Sequence, residues 1–333
     1  MQSPPFLSAL PGYLGGKRRL APLIFAEIAA AHPRASWPTS TFLDPFCGGG
    51  SVALWAKALG FHVIASDRGT LGATVARALI ANSSARLTPA DVRGLGLDRQ
   101  VPSDGRLDAL VPAVFGAEQA EWLARAALQA ECLPEPRRSL LQLLVARLAL
   151  RCQPMAMLTA TDARAAATGE YDRVSSRRLA HYLRVPGAFA SPAVWALAQR
   201  LNAGVIAGSG QARRADALTT HTETQADVVY LDPPYAGTTG YAGTYAPLDA
   251  LLGGAETPGA APAIDQLVLA TMHIPLLVLS YGGPRTSLES LIAQVGAHRP
   301  VHRALAIPYP HLRSLAREEK NRANQEFLIV AGR

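Results

Sequence analysis

The chain has 333 residues, 49% of them hydrophobic, and a formal charge of +7. This composition excludes global disorder and suits an anionic partner. The three cysteines, Cys47, Cys132 and Cys152, have no metal-ligand spacing and an odd count, so a reducing, cytoplasmic setting is expected. No secretory leader is read at the start and no apolar run reaches about 18 residues, which argues against an integral membrane protein.

After a short apolar start, Gly15 and Gly16 mark a turn, and Pro22 sits in the first turn of a predicted helix. The stretch "PTSTFLDPFCGGGSVALWAKALG" reads as strand, glycine loop and helix. "FHVIASD" is a second buried strand ending at Asp67, and "LGATVARALIANS" resumes a helical pattern. Strand, helix, strand, helix is the opening of an open, mostly parallel sheet.

Residues 88–112 are richer in Pro, Gly and Asp and read as loop. From about 113 to 205 the pattern is helical without strand alternation, which predicts an inserted helical domain. The sheet pattern then returns. "ARRADAL" is a short strand and turn, and "ADVVYLDPPY" is a buried strand with its exit loop. "APAIDQLVLATMH" and "SLESLIAQVG" read as helices, "IPLLVLSYGG" as a strand, and "NQEFLIVAG" as the last strand. The expected division is 1–90 with 206–333 as one α/β domain and 91–205 as the helical insertion.

The loop "FLDPFCGGGS" follows a strand end, where open α/β sheets bind ligands, and its glycines let a ligand approach the backbone. It is neither a GxGxxG fingerprint nor a Walker A loop, and a tight strand-to-helix turn is the plain alternative. Asp67, at the end of the next strand, can accept both hydroxyl protons of a ribose. In "LDPPY", Asp232 and the Pro233 carbonyl offer two acceptors to an amine, with no competing N–H from either proline. Tyr235 offers a flat face for a base. The arrangement suits a planar molecule bearing an NH2 group.

These segments resemble, in motif order, the Dam-like S-adenosylmethionine-dependent DNA adenine-N6 methyltransferases. "YLGGKRRL" resembles their amino-terminal motif, "FLDPFCGGGS" their cofactor loop, with Asp44 where glutamate is usual, and "LDPPY" their catalytic motif. "NQEFLIVAG" resembles their closing strand. The resemblance implies a Rossmann-like methyltransferase fold with S-adenosylmethionine as cofactor. It further implies that Tyr13, Lys17, Asp44, Phe46, Gly48, Gly50, Asp67 and Asp216 form the cofactor pocket. Asp232, Pro233, Pro234 and Tyr235 would hold a flipped adenine for direct, in-line transfer to N6. The helical insertion would be the target-recognition domain, with double-stranded DNA as partner and a cognate restriction endonuclease as a second candidate partner.

Arg173, Arg177, Arg178 and Arg184, in "YDRVSSRRLAHYLR", are the candidate phosphate contacts; a solvated helix face is the alternative. The scattered histidines suggest no metal. Cys47 has no predicted base beside it and is a poor nucleophile. Three other readings stay open: RNA adenine-N6 transfer, DNA cytosine-N4 transfer, and a non-catalytic DNA-binding module.

Overall fold

The computed structural model describes residues 4–97, 104–110, 117–152, 191–235, 241–254, 261–283, 286–309 and 325–333. Seven strands form one sheet: β1 Thr41–Asp44, β2 His62–Asp67, β3 Gly210–Arg214, β4 Val228–Leu231, β5 Leu276–Gly282, β6 Val301–Pro308 and β7 Gln325–Ala331. Their order across the sheet is β3-β2-β1-β4-β5-β7-β6. The first five pair parallel, and β7 runs antiparallel between β5 and β6.

β4 and β5 are buried at every position, as expected of strands covered on both faces. Alternate residues feed two different cores. Phe42, Val228 and Tyr230 join one cluster, and Leu43, Val229 and Leu231 join the other. In the first cluster Trp37 stacks on Phe61 at 4.8 Å, and Phe42 lies tilted against Phe61 at 5.5 Å.

The helices, among the described residues, are α1 Ala21–Ala31, α2 Ser51–Ala58, α3 Thr70–Val75, α4 Pro89–Val92, α5 Arg106–Leu110, α6 Ala117–Glu131, α7 Arg137–Cys152, α8 Ser191–Asn202, α9 Ala217–Glu223, α10 Tyr241–Leu251, α11 Ile264–Ala270 and α12 Leu288–Gly296. α3 continues as a π-helical turn over Ala76–Ala81. The expectation of helices without strands between 113 and 205 agrees with α6, α7 and α8 over their described residues. These helices are not a detached layer. Leu123, Leu144 and Leu197 belong to the same buried cluster as Phe42 and Tyr230, and α7 packs on α3. The sheet is thus a mixed, mostly parallel α/β sheet of the expected class, with β6 and β7 closing one edge antiparallel.

Strand order reverses direction at the sheet centre. From β1 the chain goes to β2 and β3 on one side; β4 and β5 lie on the other. A crevice opens at the carboxyl ends of such strands, so ligand groups converge there. Asp44, Asp67 and Asp232 end or immediately follow the neighbouring strands β1, β2 and β4.

Candidate active site

One cavity collects these three carboxylates. Its wall includes Tyr13, Lys17, Asp44, Phe46, Gly48, Asp67, Asp216, Asp232 and Pro234. Gly50, Pro233 and Tyr235 are not part of that wall. Arg173, Arg177, Arg178 and Arg184 lie outside the described residues.

The glycine loop is shaped by its neighbours. Gly48 has φ +47°, a left-handed conformation, and an added Cβ would come within 2.7 Å of the Tyr13 ring. Tyr13 is held from its other side by Tyr245 of α10, stacked at 4.6 Å and 9°. The Leu14 N–H donates to the Tyr245 hydroxyl at 2.7 Å. The amino-terminal loop is therefore clamped between the glycine turn and α10.

Asp67 accepts the Gly48 N–H on Oδ2 and the Gly69 N–H on Oδ1, both at 2.8 Å. Each oxygen keeps a further lone pair for a hydroxyl. Burial pushes its pKa up to about 6 despite those two amides. Asp249, also from α10, accepts the Leu71 N–H at 2.8 Å and reaches the same part of the wall.

Asp44 is 2% exposed, and its buried Oδ1 has no hydrogen-bond partner among the described residues. Burial first, then the nearby Asp232, holds its pKa well above the usual carboxylate range. A buried acceptor left open on a cavity wall fits a cationic or N–H-bearing ligand group. Asp216 follows β3; its Oδ1 accepts the Leu218 N–H at 2.9 Å, and Arg68 lies 3.8 Å from its Oδ2.

The Asp232 end of the cavity is a network. Lys17 Nζ lies 2.8 Å from both Asp232 oxygens and 3.4 Å from Glu326 Oε1. The Tyr235 hydroxyl donates to Glu326 Oε1 at 2.5 Å, and Ser280 Oγ donates to the same oxygen at 2.7 Å. The Tyr235 ring is 9% exposed, tilted against Tyr281 at 4.9 Å, with Lys17 Nζ 5.3 Å above its face. Tyr235 is therefore anchored at both its edge and its hydroxyl rather than standing free as a platform. Burial pushes the Asp232 pKa up to about 6, Lys17 opposing and Glu326 reinforcing the rise.

Sequence reading passed over Tyr245, Asp249, Ser280 and the role of Glu326. Tyr245 and Asp249 sit in a helix with no motif. Glu326 was visible only as part of a closing strand. Two of its partners, Ser280 and Tyr235, are 46 and 91 positions away.

The sheet order and this carboxylate-lined crevice fit the α/β methyltransferase fold expected from the sequence. Residues 13–94 match the family model of the D12 class N6 adenine-specific DNA methyltransferases. The resemblance seen in the sequence is thereby borne out over those residues, which carry the amino-terminal and glycine-loop motifs. Over 96% of its length it is 25% identical to the Type II methyltransferase M2.HphI of Haemophilus parahaemolyticus, of which it covers 96%. Two structures of the rRNA methyltransferase aviRa from Streptomyces viridochromogenes are similar at 18% identity and TM-score 0.40, over 99% of this chain and 93% of theirs. That likeness is too distant to add to the sheet order itself. Among the described residues, no helix is long and apolar enough to cross a membrane, and no cluster of metal-ligating side chains occurs.

Proposed function

We propose that the protein transfers a methyl group from S-adenosylmethionine to adenine N6 in double-stranded DNA, after the target base has left the stack. The observation that carries this reading is the shared cavity: the Asp232 loop at one end and Asp44 and Asp67 along the same wall. The residues present fit the cofactor. Asp67 suits its ribose hydroxyls, Asp44 its ammonium, and Asp216 and Phe46 its adenine. When bound, the cofactor supplies an electrophilic methyl on a sulfonium.

The chain's own residues do the rest by positioning. Asp232 accepts one amine hydrogen of the target, and the Pro233 carbonyl accepts the other. Withdrawing both hydrogens toward acceptors turns the nitrogen lone pair out of conjugation and aims it along the cavity for direct, in-line transfer. Tyr235, fixed by Glu326, bounds the base on one face. Lys17 holds the Asp232 carboxylate in register and lets it ionise despite burial. The proton becomes acidic only after nitrogen is alkylated, so no strong base and no covalent enzyme intermediate are required. In this reading residues 91–205 supply target recognition, with Arg173, Arg177, Arg178 and Arg184 on phosphates. The Haemophilus relative, a Type II methyltransferase, supports a partnership with a restriction endonuclease.

The test uses methyl-labelled S-adenosylmethionine and unmethylated mixed-sequence duplex DNA, digested to nucleosides and resolved by mass. Labelled N6-methyladenine is expected. N4-methylcytosine, label appearing only on RNA, or cofactor binding without any labelled nucleoside would each overturn the reading.

A further inference from the structure

Outside the cavity wall, four arginines gather from three parts of the chain. Arg147, within α7, donates to the Ser8 carbonyl at 2.9 Å and the Ala9 carbonyl at 2.8 Å. Arg18, the neighbour of Lys17, donates to the Pro11 carbonyl at 2.5 Å. Both guanidiniums thus close on residues 8–11. Arg151 lies one turn beyond Arg147 on the same side of α7. Arg200 lies on α8, which packs against α7 and against the 3-10 turn Pro5–Ala9.

Among the described residues no carboxylate pairs with any of the four, and Arg18 and Arg147 donate to backbone carbonyls. Burial first, then Arg151, Arg18 and Arg200, brings the Arg147 pKa down to about 9. Arg151 is lowered by burial and by Arg200. Like charges held together without counter-charge destabilise the free protein, and an anion relieves the repulsion. The grouping is a strip rather than a pocket. It runs from Arg18, partly buried, through Arg151 to the exposed Arg200. It also begins one residue from Lys17, whose Nζ touches Asp232. A chain of phosphates matches such a strip better than a single small anion.

We propose that Arg18, Arg151 and Arg200, braced by Arg147, form a docking strip for the phosphate backbone of duplex DNA next to the loop that carries Lys17. The proposal rests on the adenine-N6 DNA reading and deepens it. Such contacts fix the position of the duplex on the protein without reading its sequence. They explain why a loop whose lysine holds Asp232 continues directly into an arginine. Movement of the strand is then coupled to the loop that orders the transfer site.

The test titrates the wild type, Arg151→Ala, Arg200→Ala and the double variant with labelled mixed-sequence duplex DNA across a salt series, with S-adenosylhomocysteine binding measured alongside. Each single substitution should weaken DNA binding about three- to tenfold and reduce the slope of log K against log salt by about 0.9. The double variant should lose about twice that slope. Arg151→Lys and Arg200→Lys should retain it, and affinity for S-adenosylhomocysteine should stay at the wild-type value. An unchanged slope in the double variant overturns the strip, as does a loss confined to duplex RNA. Methyl transfer by the wild type to the same DNA separates the two levels. Labelled adenine with an unchanged KM for DNA in the double variant sinks only the strip. No labelled adenine from the wild type sinks the function reading and the strip with it.

Discussion

At Asp232 three neighbours act in different directions. Lys17 stabilises the carboxylate, Glu326 repels it, and burial disfavours its charge, leaving its pKa at about 6. Transfer in the proposed mechanism needs the ionised form as acceptor, so turnover at saturating cofactor should fall as pH drops through about 6. A Glu326→Gln variant keeps the volume and acceptor oxygen but removes one negative charge. Its acid limb should move to lower pH, because the repulsion that raises the Asp232 pKa is gone. Turnover above the limb should fall about ten- to a hundredfold, since Tyr235 and Lys17 are no longer held in place. A pH profile unchanged in position, with turnover unaffected, would leave Glu326 a packing residue. Lys17→Met should be harsher. Lys17 is 2% exposed and lies between Glu326, 0% exposed, and Asp232, 20% exposed. Losing the cation from a buried pair costs about 3–5 kcal/mol. The sign with pH follows from the raised pKa. The folded protein holds the Asp232 proton more tightly than the unfolded chain, so this group lowers stability as pH rises from the usual carboxylate range through about 6. Without Lys17 that pKa rises further, and the defect should be larger at neutral pH than in acid. Denaturant melts of both proteins at two pH values check this.

Among the elements, much of the parallel half was legible because its signals are local. β1 and β4 are short apolar runs ending in Asp44 and Leu231-Asp232, and each strand's exit loop carries its own chemistry. The antiparallel edge was not legible in the same way. β6, "VHRALAIP", has a half-exposed pattern that resembles a loop, and its pairing with β7 is a contact across the chain. Nothing local says that β7 enters between β5 and β6, yet that insertion is what brings Glu326 to Tyr235. α3 shows the same limit on a smaller scale. Gly72 lies inside a helix, where alanine is ordinarily better by about 1 kcal/mol. Its added Cβ, however, would lie 2.4 Å from the Asp67 carboxyl carbon. Gly72→Ala should therefore displace Asp67 or lift α3, weakening cofactor affinity despite the gain in helix propensity. Calorimetric titration with S-adenosylhomocysteine reads this directly, and unaltered affinity would show that Asp67 can yield without loss.

Over the whole molecule, the candidate cofactor cavity is built by segments far apart in the chain. Tyr13 and Lys17, Asp44 to Gly49, Ser51 and Val52, Asp67 to Gly69, Leu71 and Gly72, Asp216, Asp232, and Tyr245 with Asp249 all line it. The helices of the predicted insertion share a buried cluster with the sheet through Leu123, Leu144 and Leu197. A ligand that joins these segments is coupled to the folding of all of them, not to one loop. Binding to the native state alone stabilises by RT ln(1 + [L]/Kd), about 2.7 kcal/mol at a hundredfold excess over Kd. S-Adenosylhomocysteine should therefore raise the melting temperature of one cooperative transition, with the helical layer melting together with the sheet. Asp232→Asn should show the same rise, because its carboxylate serves the target base, while its transfer rate falls at least about a hundredfold. Asp67→Ala should lose most of the rise, because the carboxylate proposed for the ribose is gone. Two separated transitions, only one of them shifted by ligand, would mean that the shared cluster does not couple the layers. A full rise in Asp67→Ala would move the ribose away from β2 and toward α10, where Asp249 lies.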